Sequence, residues 1–127
     1  MNSVVVAVIN NELDVVIGRK RLDSPKALAG EWHIPGENIE GAESDEDALK
    51  RCGREELGLD IYVSRYMGRT FTPTGKEARW YECFSDSRDI KPSSDLAEAK
   101  WIRRSEVRNE VPRYYDWPPG IQNYFKK

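Results

Sequence analysis

Residues 43–59 read ESDEDALKRCGREELGL, and this stretch decides how the rest of the chain is interpreted. Ser44 is suited to cap the amino end of a helix, because its hydroxyl can accept a hydrogen bond from the backbone of Asp47. Gly58 stands where helices commonly end in a left-handed residue, a conformation that glycine adopts without strain. The pattern therefore predicts a helix over residues 45–57.

Carboxylates crowd one side of this predicted helix. Residues three and four apart on a helix are neighbours, so Glu55 and Glu56 are expected to face the same surroundings as Cys52. With Glu43 and Arg51 nearby, several carboxylates would surround one cation. Such hard oxygen ligands suit Mg²⁺ or Mn²⁺.

A phosphate-bearing substrate would complete such a site. Magnesium normally keeps water molecules and takes one or two carboxylates together with substrate phosphates, which points to a phosphate ester or a diphosphate. The alternative is a solvated helix face on which Arg51 and Glu55 form an ordinary ion pair four residues apart.

The whole chain is sized for one domain, and we expect residues 1–127 to form it. Hydrophobic residues make up 39% of the sequence, which is enough for one core. A balance of 20 Lys and Arg against 22 Asp and Glu predicts no specific nucleic-acid partner and no attraction to membranes. No apolar run approaches the roughly 20 residues that span a bilayer. The sequence has two cysteines and no signal-peptide pattern, which favours reduced thiols and a cytoplasmic location.

Apolar runs separated by turn signals predict a sheet around this helix. Strands are expected at residues 3–9, 14–19, 32–34, 61–64, 67–72, 79–85 and 99–102. Loops are expected at 20–30, 37–43 and 86–96, a helical turn at 105–108, and a short helix beginning near Pro118. The mixture indicates an α/β (α+β) fold.

The stretch from Pro35 to Leu59 resembles the Nudix box. That motif reads Gly, five residues, Glu, seven residues, Arg-Glu, an aliphatic residue, any residue, Glu-Glu, any residue, Gly and an aliphatic residue. The match keeps the intervals and covers Glu43, Arg51, Glu55, Glu56, Gly58 and Leu59. Segments 19–21, 32–36 and 98–102 also look Nudix-like, so the resemblance spans residues 3–104. It implies the αβα sandwich of the Nudix hydrolase family, with a mixed sheet.

Three positions depart from the box. Glu37 stands in place of a glycine, which is tolerable if the backbone there avoids a positive φ. Gly53 replaces an aliphatic residue, and inside a helix it costs roughly 1 kcal/mol relative to alanine. Cys52 replaces a glutamate that the family commonly uses as metal ligand or base, and a neutral thiol supplies neither charge nor a hard donor.

The resemblance implies divalent-metal-dependent hydrolysis of a nucleoside diphosphate linked to another group. Glu56 is the first metal-ligand candidate and Glu55 the second, while Arg51 would hold a carboxylate in position. The carbonyl of Gly36 and a carboxylate from a later loop would complete the site. Glu98 is the preferred residue for that carboxylate and Asp95 the next, and Glu98 could serve as base instead of ligand.

Other residues each have two interpretations. Basic residues of the early loop would meet phosphates or form a solvated surface: Arg19, Lys20, Arg21 and Lys26. Aromatic side chains would either stack on a base or pack in the core: Trp32, Phe71 and Trp80.

His33 is the only histidine, which excludes a multi-histidine metal site. A Cys52–His33 nucleophilic pair is disfavoured because acidic neighbours raise the thiol pKa. The aromatic C-terminal segment would pack within the monomer or across a homodimer.

Three functions remain in competition. The first is a Mg²⁺- or Mn²⁺-dependent hydrolase, and the second is a nucleotide-binding or regulatory protein that has lost turnover because of Cys52. The third is a diphosphate binder that acts on a sugar carbon. If the missing carboxylate limits the site, Cys52→Glu should raise the rate or the metal affinity. An unchanged rate would show that another group has taken its place.

Overall fold

The computed structural model describes residues 3–25, 28–93 and 95–126. The predicted helix is present over its expected length, and its amino end is capped as predicted, since the Ser44 hydroxyl accepts from Asp47 N at 3.1 Å. Helix α1 runs Asp45–Cys52 and passes into a five-residue π-helical turn, Gly53–Leu57. Gly58 ends it with φ of 68°. The final turn is therefore π-helical instead of α-helical, a feature often found at functional sites.

Within the described residues, seven strands form one mixed sheet, which confirms the predicted fold class. The order along the sheet is β3-β2-β1-β6-β5, with β4 paired to β1 and β7 paired to β2. Strands β1 and β6 are parallel, and the other described pairs are antiparallel. The strands are β1 Val4–Asn11, β2 Asp14–Lys20, β3 Trp32–His33, β4 Gly36–Asn38, β5 Tyr62–Phe71, β6 Glu77–Phe84 and β7 Leu96–Arg103.

Two strand predictions were wrong in detail. The strands expected at 61–64 and 67–72 are one strand, β5, whose pairing with β6 shifts register twice. These irregularities break the alternation from which a single strand would be recognised. Strand β4 was expected to be loop, because three residues between turn signals carry no periodicity.

Short helices follow the sheet, as the C-terminal sequence predicts. A 3₁₀ turn precedes helix α2, and a second 3₁₀ turn leads to helix α3, which starts at the proline pair. Their bounds are Arg104–Glu106, α2 Val107–Glu110, Pro112–Asp116 and α3 Pro119–Tyr124.

Strand β1 separates two cores because its side chains alternate. Val5, Ala7 and Ile9 pack beneath α1 with Leu49 and Cys52. The alternate residues of β1 pack on the other face against the C-terminal helices, with Val107, Tyr114 and Phe125 at the centre. Helix α1 is further tied to β6 by a bidentate ion pair, in which Arg79 donates to both oxygens of Asp45 at 2.7 Å.

A change of partner along β1 creates room for a site. Near the hairpin, Asn10 of β1 pairs with Val15 of β2, but at Val4–Val6 its partner is β4. Strand β4 also contacts α1. The start of the box, in β4, is thereby brought against its helix.

Gly53→Ala is expected to destabilise the protein despite the better helix propensity of alanine. A Cβ at Gly53 would lie 2.9 Å from the Leu59 carbonyl oxygen and 3.2 Å from Ile61 Cγ2, so backbone must move. We expect a loss of about 1–3 kcal/mol in unfolding free energy, measured by urea denaturation. Gly120→Ala is the control, because a Cβ there meets nothing within 4 Å, and it should be neutral or stabilising by up to about 1 kcal/mol. Equal behaviour of the two variants would contradict tight packing at Gly53.

Candidate active site

A cleft of about 920 Å³ is lined by all three residues of β4 and by Glu56 of the π-helical turn, among others. Its size suits a nucleotide-sized ligand. The acidic residues that line it are Glu37, Glu56, Asp95 and Asp116, and Gly36 lines it too. Cationic and polar residues of the lining include Lys20, Asn38, Arg69, Thr70, Lys76 and Arg113.

Arg51 organises the acidic wall from behind. Its side chain is only 14% exposed. It donates two hydrogen bonds of 3.0 Å to Glu43, from Nε to Oε2 and from Nη2 to Oε1. Nη2 also donates to the Asn38 carbonyl at 2.7 Å, and Nη1 donates to Glu55 at 3.2 Å. The guanidinium thus joins the carboxyl end of α1, the loop after β4 and the π-helical turn.

Glu55 and Glu56 do not face the same way, although a regular helix would place both near Cys52. The Glu55 side chain is 52% exposed and pairs with Arg51. Glu56 is 4% exposed and lines the cleft. The expectation of a shared neighbourhood was therefore wrong for this pair, and of the two only Glu56 is placed on the cleft wall.

Backbone hydrogen bonds fix the later loop against the π-helical turn. Lys91 N donates to the Leu57 carbonyl at 2.8 Å, and Ser93 N donates to the Glu56 carbonyl at 3.0 Å. These bonds satisfy carbonyls that a helix end leaves without intrahelical partners. They also bring Asp95, two residues after Ser93, to the cleft wall.

Glu98 lies elsewhere. It stands on β7 directly opposite Arg19 of β2, and the two side chains form an ion pair. It is about half exposed and is not among the described residues that line the cleft. By position, Asp95 is better placed than Glu98 to act on a ligand in this cleft.

Cys52 is fully buried in the core beneath α1. Burial raises the pKa of its thiol well above the ordinary value, and the nearby charges of Glu56 and Glu37 raise it further. The thiol therefore stays neutral. His33 lines the cleft and its Nδ1 lies 3.1 Å from the Glu31 carbonyl, while burial lowers its pKa to about 4. Both groups are neutral at pH 7, and neither one has the charge state of an activated Cys-His pair.

The other sequence candidates are mostly structural. Arg19 stacks on the ring of Trp32, and Lys100 also lies over that ring. Arg21 pairs with Asp23 at the surface. Trp80 is buried and its indole N–H donates to Thr70 at 2.9 Å. Lys20, Trp80 and the exposed Phe71 do line the cleft. Lys26 lies outside the described residues.

Sequence reasoning missed Glu37, Asn38, Arg69 and Lys76 as cleft residues. Only Glu37 carried a signal, since it occupies a box position reserved for glycine. Its backbone lies in β4 without a positive φ, so the substitution causes no strain.

Comparison with known proteins identifies the family. The profile of the NUDIX domain matches residues 1–121. The chain belongs to the Nudix family. A curated Nudix relative from Klebsiella pneumoniae (strain 342), the nucleoside triphosphatase NudI, is 24% identical over 121 residues, covering 84% of this chain and 85% of the relative.

Solved Nudix structures share the fold. A NUDIX hydrolase from Nitrosomonas europaea aligns with a TM-score of 0.77 and 14% identity, covering 98% of this chain and 70% of that one. An ADP-ribose pyrophosphatase from Streptococcus suis 89-1591 aligns with a TM-score of 0.72 and 17% identity, covering 98% and 88% respectively. Nothing in the described part of this Nudix chain is a helix long and apolar enough to cross a membrane.

Arg51→Met should lower the free energy of unfolding at pH 7, because it leaves the Glu43 carboxylate without the guanidinium that donates to both of its oxygens. The hydrogen bonds from Arg51 hold the Glu43 pKa below the ordinary 4.5. The stabilisation is therefore complete above pH 4.5 and is lost as the pH falls through the lowered pKa. The difference between wild type and variant should shrink on acidification, as followed by denaturant unfolding from pH 7 to pH 3.

Arg108→Met on the exposed surface of α2 is the matched control and should change stability little at any pH. A pH-independent loss in Arg51→Met would contradict the assigned pairing with Glu43.

Proposed function

We propose that this chain hydrolyses a nucleoside diphosphate linked to another group, with a divalent cation, and that residues 1–127 form one Nudix unit for this reaction. The observation that carries the proposal is the position of Glu56, which is buried, belongs to the family's box and lines a nucleotide-sized cleft. A nucleoside triphosphate is one member of the proposed substrate class, and the relative NudI is a nucleoside triphosphatase.

The chemistry of the cleft's donors fits Mg²⁺ or Mn²⁺. Carboxylates and a backbone carbonyl are the hard oxygen ligands that these ions prefer. Among the described residues, no three His, Cys, Asp or Glu side chains converge closely enough to enclose a metal. A site with one or two carboxylates, completed by water and substrate phosphates, is the arrangement normal for Mg²⁺.

Glu56 and the Gly36 carbonyl are the ligands we propose, with Asp95 as a further carboxylate and Glu55 as the alternative. When bound, the cation would neutralise charge that develops on the phosphates and lower the pKa of a bound water. Asp95 also fits the role of base, because it lines the cleft, and the competing candidate Glu98 is not among the described residues that do.

The remaining cleft residues would hold the substrate. Lys20, Arg69 and Lys76 lie at the wall and would meet phosphate oxygens. The exposed ring of Phe71 would offer a surface for the base. Arg51 positions the acidic wall through Glu43 and Asn38 without lining the cleft itself.

A regulatory nucleotide-binding protein is the second candidate. The observation in its favour is Cys52, which is buried and neutral where the box has a carboxylate. The two functions differ in turnover. Nucleoside diphosphate sugars, ADP-ribose, dinucleoside polyphosphates and nucleoside triphosphates should be screened with each metal. Binding without any product would favour the regulator.

Glu56→Gln should lower kcat/KM by about 100-fold or more on the substrate found in that screen, because it removes a negative ligand while keeping shape. Glu55→Gln is the matched control, since Glu55 is exposed and pairs with Arg51. Its kcat/KM should fall by less than about tenfold, as expected for a residue that only helps to position Arg51. Wild-type rates in Glu56→Gln, or a larger loss in Glu55→Gln, would move the metal away from Glu56.

A further inference from the structure

We propose that Glu37, rather than Asp95, is the second metal-binding carboxylate beside Glu56, and that it supplies the carboxylate that the box lacks at position 52. The inference rests on the proposed metal-dependent function and names a further residue of the same site. Relative to the Nudix pattern, a carboxylate is missing at Cys52 and an additional one is present at Glu37, so the number of acidic residues is unchanged.

Strand register puts Glu37 on the face of the sheet against which Cys52 of α1 packs. In the antiparallel pairing of β4 with β1, Glu37 lies opposite Val5, and directly opposed residues point to the same face of a sheet. Val5 and Cys52 belong to the same core cluster beneath α1. The charge of Glu37 accordingly acts on the Cys52 thiol, together with that of Glu56.

The Glu37 side chain is also largely buried and held in place beside the cleft. It is 15% exposed and lines the cleft with Glu56 and Gly36. Its Oε1 accepts a hydrogen bond from Asn38 N at 3.1 Å, which fixes the carboxylate. Oε2 lies 3.6 Å from Nη1 of Arg51, close enough for attraction but beyond a normal hydrogen bond.

Glu43 shows the opposite arrangement. Both of its oxygens accept from Arg51, and Oε1 also accepts from Glu40 N at 3.1 Å. Glu43 is therefore committed to holding the loop, whereas Glu37, unlike Glu43, is among the described residues that line the cleft.

The location of Cys52 also changes what Cys52→Glu is expected to do. A glutamate there would enter a site that is fully buried and already faces Glu37 and Glu56. Like charges at close range disfavour one another's ionised forms. We therefore expect Cys52→Glu alone to fold less stably and to bind metal no better than wild type. Cys52→Glu combined with Glu37→Gly restores the family's arrangement.

Calorimetric titration of the full chain with Mn²⁺, with and without a nucleotide, tests the proposal independently of activity. Glu37→Gln should weaken Mn²⁺ binding by about tenfold or more. Glu40→Gln is the matched control, because Glu40 lies 3.7 Å from Arg51, close to the 3.6 Å of Glu37, but is 68% exposed and off the cleft wall. It should bind Mn²⁺ as wild type does.

A double-mutant cycle supplies the second readout. Glu37→Gly should lose Mn²⁺ affinity, and adding Cys52→Glu to it should recover most of that loss while the melting temperature rises above that of Cys52→Glu alone. If the effects of Glu37→Gly and Cys52→Glu on Mn²⁺ affinity are additive, Glu37 does not replace the carboxylate missing at position 52. Wild-type Mn²⁺ affinity in Glu37→Gln would overturn the proposal as well.

The failures of the two proposals are distinguishable. If wild type binds Mn²⁺ and Glu56→Gln loses it while Glu37→Gln does not, only the role of Glu37 is overturned. If wild type takes up no Mn²⁺ even with nucleotide present, both the metal-dependent function and the role of Glu37 are overturned.

Discussion

The arrangement of the site depends on one half-buried guanidinium. Arg51 donates to both oxygens of Glu43 and to the Asn38 carbonyl, and it also pairs with Glu55. These partners come from the loop before α1, from β4 and from the π-helical turn. Without this charge, the acidic residues of the three segments would repel one another, so Arg51 permits a concentrated acidic wall beside the cleft.

The π-helical turn decides which carboxylates reach that wall. It separates two adjacent glutamates, so that Glu56 is buried at the cleft and Glu55 pairs at the surface. The turn is stabilised by close packing at Gly53 and by backbone hydrogen bonds from the loop before Asp95. The same contacts that end the helix therefore assemble the candidate site, and the glycine that departs from the box has a structural role.

Local signals in the sequence predicted much of this structure. The capping serine and the terminal glycine predicted the helix. The spacing of the box predicted the family and named Glu56 as a candidate ligand. What could not be predicted depends on contacts between distant segments. The pairing of Glu98 with Arg19 follows from the register of β7 on β2, and the placement of Glu37 follows from its pairing with β1. A departure from the motif was visible at Glu37, but its position opposite Val5 was not.

The most direct test is a crystal structure with Mn²⁺ and a non-hydrolysable nucleotide, in which the anomalous signal locates the metal. Our account predicts that carboxylate oxygens of Glu56 and Glu37 lie at ligand distance, roughly 2.1 Å for ions of this kind. It also predicts that phosphate oxygens of the nucleotide complete the site. A metal held by Glu55 or Glu98, with Glu56 outside ligand distance, would contradict the account.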